Sequence, residues 1–243
     1  MAGYVCGSVQ LARLSEHRGL DVGAPGWPGD VAGSGVPGPS SLRRLAPALG
    51  LHTADVFAIA DVPVPDDLAP VDRSAGVWVP GLARHAMHLS PEDRNSVRRL
   101  MASLRHEKHA SAAPALPTHE NYPAGPGAML MRLVRNRNLG WNSAAKTFLL
   151  VTGRYWSAAT YGMVGHGRRE LTPELLVDFS AVLGILADDL SVLTGVALPE
   201  PPDGIPPLDL TAAEVAELIW DTRRLTAAQV RRVGDAAESL RMD

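Results

Sequence analysis

Apolar side chains in residues 128–196 recur every three or four positions, the spacing that places them on one face of an α-helix. Ser or Thr often precedes these runs and Gly follows them, as is typical of helix caps. The pattern predicts five helices: Ala128–Asn138, one from a cap at Asn142 or Ser143 to Val151, Ala158–His166 capped by Ser157, one from Thr172-Pro173 to Gly184, and Asp188–Leu193.

The same order of apolar positions occurs earlier in the chain. Leu42–Pro65 matches Leu176–Pro199 at an offset of 134 residues, and Leu11–Leu20 matches Leu130–Leu139 at an offset of 119. We interpret this as a tandem duplication, with a first copy from about Val5 to Lys108 and a second from about Ala124 to Asp243. The first copy is 15 residues shorter, because a Gly- and Pro-rich stretch between Leu20 and Leu42 stands where the second copy has its Gly140–Glu174 helices.

Each copy ends in a helical hairpin that follows its core. In the first it comprises Pro80–His88 and a helix from Pro91, capped by Ser90, to about Lys108. In the second, Thr211 with Glu214 and Thr226 with Gln229 have the spacing of capping boxes. Each hairpin packs either on its own core or on a coupling surface between the copies or between two chains; the residues predicted for that surface are Leu218, Trp220, Val233 and Leu240.

The predicted fold class is therefore all-α, with two tandem five-helix cores of helix-turn-helix type, each followed by a hairpin. The expected units are a degenerate first repeat (5–67), a hairpin (76–110), a Pro/Gly linker (111–127), a helix-turn-helix domain (128–198) and a C-terminal hairpin (210–242).

Charge is distributed unevenly. Between Ala128 and Leu171 there are seven Arg or Lys residues and one Glu, a net +6, although the whole chain carries −3. We call this stretch the basic island; such an island is typical of proteins that bind polyanions, although a solvated helix face has the same composition. With 46% hydrophobic residues, one cysteine and no signal-like start, the chain is expected to be a globular protein of a reducing compartment.

The order of helices and the stretch GHGRRELTPELLVDFSAVLGI resemble lambda-repressor-like, XRE-type (Cro-like) DNA-binding domains over Ala128–Val196. The resemblance implies that Ala158–His166 is the recognition helix, lying in the major groove. The residues it implies at the DNA are Asn142, Ser143, Lys146, Arg154, Tyr155, Ser157, Ala158, Ala159, Thr160, Gly162, Met163, His166, Arg168 and Arg169.

Ala, Gly and Met cannot make the bidentate hydrogen bonds by which Arg or Asn reads a base edge. Phosphate contacts are better supplied, by Lys146, Arg154, Arg168 and Arg169, and the backbone N–H groups of Asn142 to Ala144 at the start of a helix are expected to add further contacts. We therefore expect a cytoplasmic transcriptional regulator, nucleoid-associated when bound, that binds double-stranded DNA as a homodimer and is held mainly by backbone contacts. No cofactor, metal, membrane or enzymatic activity is expected.

The alternative is a helical protein-interaction or dimerisation module that has kept the fold but does not read DNA. The degenerate first copy and the apolar recognition helix favour it. Substitution of the four phosphate-contact candidates distinguishes the two hypotheses.

Overall fold

The structure is a computed structural model that describes residues 7–21, 37–104, 117–199 and 210–242. Over those ranges the chain is all-α and contains no β-strand. The α-helices are α1 (Gly7–His17), α2 (Pro39–Ala48), α3 (Thr53–Ile59), α4 (Val79–Ala86), α5 (Pro91–Ser103), α6 (Pro126–Asn136), α7 (Trp141–Thr152), α8 (Ala158–Gly165), α9 (Pro173–Leu183), α10 (Ala187–Thr194), α11 (Leu210–Asp221) and α12 (Ala227–Met242). We call α1–α5 the first half and α6–α12 the second half.

Local capping explains several of these helix starts. The Thr172 hydroxyl accepts a hydrogen bond from the Leu175 N–H at 3.3 Å, and Pro173 occupies the first turn of α9. Ser90 caps α5 in the same way, and Thr226 and Gln229 exchange the two hydrogen bonds of a capping box before α12. These predicted caps are confirmed.

Two predicted caps are wrong. Gly140, and not Asn142 or Ser143, precedes α7, while the Ser143 hydroxyl accepts a hydrogen bond from the Gly140 N–H at 3.0 Å. Thr211 lies inside α11, and Glu214 forms an ion pair with Arg94 instead of closing a box. In both cases the helix begins earlier than the Ser or Thr that marked it. The predicted end of α5 near Lys108 lies outside the described residues.

Left-handed backbone turns end matching helices in the two halves. Positive φ angles occur at Gly19 and Asn138, which are 119 residues apart. They occur also in two pairs that are 134 residues apart, Gly50 with Gly184 and Asp61 with Gly195. The offsets are those of the sequence comparison. Thus α1, α2 and α3 end in the same kind of turn as α6, α9 and α10.

The two halves pack against each other in a reciprocal way. Helix α1 of the first half packs on α10 of the second, and α3 of the first half packs on α6 of the second. The sequence comparison aligns α1 with α6 and α3 with α10, so the two contacts correspond to each other. Arg137 forms a bidentate ion pair with Asp55, with N–O distances of 2.7 and 2.8 Å. Arg18 pairs with Asp189 in the same manner. Arg18 and Arg137 are 119 residues apart and Asp55 and Asp189 are 134 apart, so the two ion pairs join residues that the sequence comparison aligns.

The hairpins join the halves further. Helix α4 packs on α7 and α12, and α5 packs on α11 and α12, whereas α11 also packs on α9 of its own half. A continuous core results, which includes an aromatic cluster of Phe148, Tyr161 and Phe179 with ring centroids 4.9–6.2 Å apart. Among the described helices, none is both long and apolar enough to cross a lipid bilayer.

Candidate nucleic-acid interface

Helices α7 and α8 are joined by a short turn and pack on each other through the aromatic cluster. Gly153 ends α7 with a φ of 71°, and the Ser157 hydroxyl accepts a hydrogen bond from the Thr160 N–H at 3.3 Å at the start of α8. This is the helix–turn–helix order that the sequence predicted. It fixes which side of α8 faces the core, because Tyr161 and Val164 are buried.

Fewer residues of α8 face solvent than the sequence predicted. Ala159 and Met163 are exposed, and Ala158 and His166 are partly exposed. Thr160 and Gly162 are buried, so the expectation that they face a DNA groove is corrected. Two contacts give the reason: the Thr160 hydroxyl lies 3.1 Å from that of Ser157, and a Cβ on Gly162 would lie 2.5 Å from the Trp141 ring.

The turn between α7 and α8 is held by a buried carboxylate. Asp178 of α9 accepts a hydrogen bond from the Trp156 indole N–H at 2.7 Å and lies 3.0 Å from the Arg154 Nε. Burial raises the pKa of Asp178, while Trp156 and Arg154 act in the opposite direction. Arg154 is thus ion-paired with Asp178, which partly neutralises its positive charge. Tyr155, the next residue, is 69% exposed.

The basic island divides into two groups. Arg132, Arg135 and Arg137 pair with Asp61, Glu120 and Asp55 and stabilise the fold. Lys146, Arg168 and Arg169 are exposed, and the Arg169 guanidinium lies 5.1 Å from the centre of the Trp156 ring. Only the second group, together with Arg154, is available to a polyanion. The count of charges along the sequence therefore overstated the number of positive charges that are free to contact a polyanion.

Fewer groups at the start of α7 are available to bind a phosphate than the sequence predicted. Asn142 is exposed, but Ser143 is nearly buried and bonded to Gly140. The Ala144 N–H donates to the Gly140 carbonyl at 2.8 Å and is therefore not available for a phosphate.

The segment before α6 was predicted as a linker, yet its described part packs on the helix-turn-helix. The Tyr122 hydroxyl accepts a hydrogen bond from the Trp141 indole N–H at 2.6 Å, and the Tyr122 and His166 rings meet edge to face at 5.1 Å. The His166 Nε2 also lies 3.1 Å from the His119 carbonyl oxygen. The segment is too short for helical periodicity, so its only sequence signals are the aromatic and His side chains among prolines.

The predicted interface residues lie inside the chain. Leu218 and Val233 are buried between the hairpins, and Leu240 is partly buried against the same core. The Trp220 ring stacks on His52 at 3.7 Å and has the Arg223 guanidinium 3.9 Å from its centre. These residues couple the two halves of one chain, which leaves Leu218 and Val233 inaccessible to a second chain.

Comparison of the chain with protein-family models, with curated proteins and with solved structures finds no match in any of the three.

Proposed function

We propose that the chain is a DNA-binding transcriptional regulator of XRE type, which contacts double-stranded DNA through α7 and α8. The observation that carries the proposal is the Ser157-capped α8, whose outer residues Ala159 and Met163 are small or flexible. Exposed cations precede and follow this helix in the chain, at Lys146 and at Arg168 and Arg169. Such an arrangement allows close approach of a helix to a groove between phosphate contacts.

Recognition of bases would be limited under this proposal. Ala159 can contact a thymine methyl group, while Met163 offers no hydrogen-bond donor to a base edge. Most of the affinity would come from phosphates and would therefore depend strongly on salt. The tandem duplication belongs to the same proposal: the reciprocal ion pairs and matching turns support two related copies, of which the second alone keeps the reading helices.

The decisive experiment measures binding of the full chain to a fluorescein-labelled duplex of about 30 base pairs by anisotropy at several salt concentrations. The test variant replaces Lys146, Arg168 and Arg169 by Ala. A matched control replaces Arg44, Arg99 and Arg232, which are also exposed but lie on α2, α5 and α12, so that both variants lose three positive charges. We omit Arg154 because its loss would leave Asp178 without its ion pair.

We expect the test variant to lose affinity and its log–log salt slope to fall by about 0.9 per lost phosphate contact, while the control keeps most of the slope. Equal losses in the two variants would show non-specific charge attraction. Selection of sequences from a random duplex library then tests base preference.

A helical protein-interaction module is the second candidate, favoured by exposed apolar side chains near the same turn. Leu149 is 40% exposed and Met163 38% exposed, and Tyr155 is exposed further. Under this hypothesis Tyr155→Ala with Met163→Ala abolishes partner capture, whereas the triple cation variant has no effect.

A homodimer on a two-fold operator also remains a prediction, with one reading head per chain. Its predicted anchors Leu218 and Val233 are buried within the chain, so a dimer needs another surface. Sedimentation equilibrium at micromolar concentration, with and without DNA, tests it.

A further inference from the structure

A cavity of about 360 Å³ lies where the end of α3 and the loop after it meet α6. This volume is at the small end of the range of about 300–1,000 Å³ typical of small-molecule sites. Asp61 and Pro63 on its wall are exposed, so it can be reached from solvent. Its apolar wall consists of Ala58, Val62, Pro63, Val64, Ala69 and Pro70.

Three arginines share this cavity, and their partners leave one positive charge over. Arg132 lies 3.0 Å from the Asp61 carboxylate, and the Arg135 guanidinium lies 2.5 Å from Glu120. Arg73 has no carboxylate within ion-pair distance among the described residues. The three guanidinium groups and two carboxylates therefore carry a net charge of +1.

Two of the guanidinium donors are buried without a hydrogen-bond acceptor in the described part of the chain. These are the Arg73 Nε and the Arg132 Nη2. A buried donor attached to a charged group is costly to leave unpaired, and native proteins seldom do so. Burial and then the charge of Arg135 lower the pKa of Arg73, and the charge of Glu120, which acts in the opposite direction, offsets this only in part.

We propose that the cavity binds a small monocarboxylate with an apolar body, whose carboxylate accepts hydrogen bonds from Arg73 and Arg132. Guanidinium groups match the planar carboxylate better than they match a spherical ion, and one negative charge balances the net charge of the three arginines with their two carboxylate partners. The apolar body packs on Val62, Val64 and Pro70. A free phosphate could bind the same arginines but would leave the apolar wall uncovered.

A chain of side-chain contacts connects the cavity with the segment that packs on α7 and α8. Arg135, on its wall, pairs with Glu120, and the segment that contains Glu120 also contains Tyr122, which holds Trp141. Binding itself does not depend on DNA recognition and is tested separately.

Isothermal titration calorimetry of the full chain with benzoate and with hexanoate tests the site. Benzyl alcohol supplies the same apolar body without the charge, and inorganic phosphate supplies charge without the apolar body. We expect the two carboxylates to bind and the two controls to bind at least tenfold more weakly. Arg73→Ala should weaken benzoate binding at least tenfold, while Arg99→Ala, which removes an exposed charge on α5, should not change it.

A second variant keeps every charge. Val64→Phe fills the apolar side of the cavity and should also weaken benzoate binding at least tenfold, with circular dichroism verifying the fold of each variant. If Arg73→Ala does not fold, Val64→Phe alone decides. No heat from either carboxylate at 10 mM, equal binding of phosphate, or unchanged binding in a folded cavity variant would overturn the proposal.

Discussion

The two reciprocal ion pairs differ mainly in burial, and this gives a quantitative prediction. Arg137 and Asp55 are 1% and 0% exposed, whereas Arg18 is 34% exposed opposite an Asp189 of 1%. We consider Arg137→Ala and Arg18→Ala, which make the same chemical change at equivalent positions. Arg18→Ala is therefore the matched control.

Among the described residues, Arg137→Ala leaves the buried Asp55 carboxylate with the Asn136 amide, at 2.9 Å, as its one remaining side-chain donor. It also removes donors from the Leu133 and Leu183 carbonyls. Removing one partner of a buried pair costs about 3–5 kcal/mol. In Arg18→Ala, water can enter where the half-exposed arginine was, so about 1.5–3 kcal/mol is expected for a charged hydrogen bond. The difference should be about 2 kcal/mol.

Urea denaturation followed by circular dichroism at 222 nm measures both free energies of unfolding. A third variant, Arg137→Met with Asp55→Leu, removes both charges and should recover much of the loss, because the cost arises from an unpaired buried charge. If Arg18→Ala destabilises the protein as much as Arg137→Ala does, or if the double variant is the least stable, the reasoning from burial is refuted.

Three further predictions concern packing and pH. Gly127→Ala places a Cβ 1.9 Å from the Val164 carbonyl oxygen and should destabilise the protein in urea denaturation by about 1–3 kcal/mol or more. Gly81→Ala, in open space on α4, should stabilise it by about 0.5–1 kcal/mol in the same assay. Tyr161→Phe should be neutral or stabilising in urea denaturation, because its buried hydroxyl has no hydrogen-bond partner among the described residues; a loss above about 1 kcal/mol would reveal one. The hydrogen bond from His52 lowers the pKa of Glu217 below its ordinary 4.5, so this contribution is present above pH 4.5 and is lost as the pH falls through the lowered pKa. Glu217→Gln should thus destabilise by up to about 1 kcal/mol at pH 6 and by progressively less as the pH falls below 4.5, and a loss that does not change with pH on the acid side would contradict the assignment.

The sequence predicted the helices better than it predicted their surroundings. Periodicity and the caps Ser157 and Thr172 gave α8 and α9 nearly to the residue, because these are local signals. The burial of Thr160 depends on neighbours outside its own helix and could not be read from spacing. The same holds for Arg137, which we counted from the sequence as part of the basic island. Its partner Asp55 lies 82 residues away, so the ion pair leaves no local sequence signal.

The packing of α1 on α10 and of α4 on α7 has a consequence for dissecting the protein. The helix-turn-helix segment expressed by itself would present to water the apolar surfaces that α1 and α4 now cover, and it should aggregate. If the chain is divided between residues 105 and 116 and produced as two polypeptides, we expect the two halves to associate without a covalent connection. The two halves would then be the subunits of a heterodimer that the natural chain joins covalently.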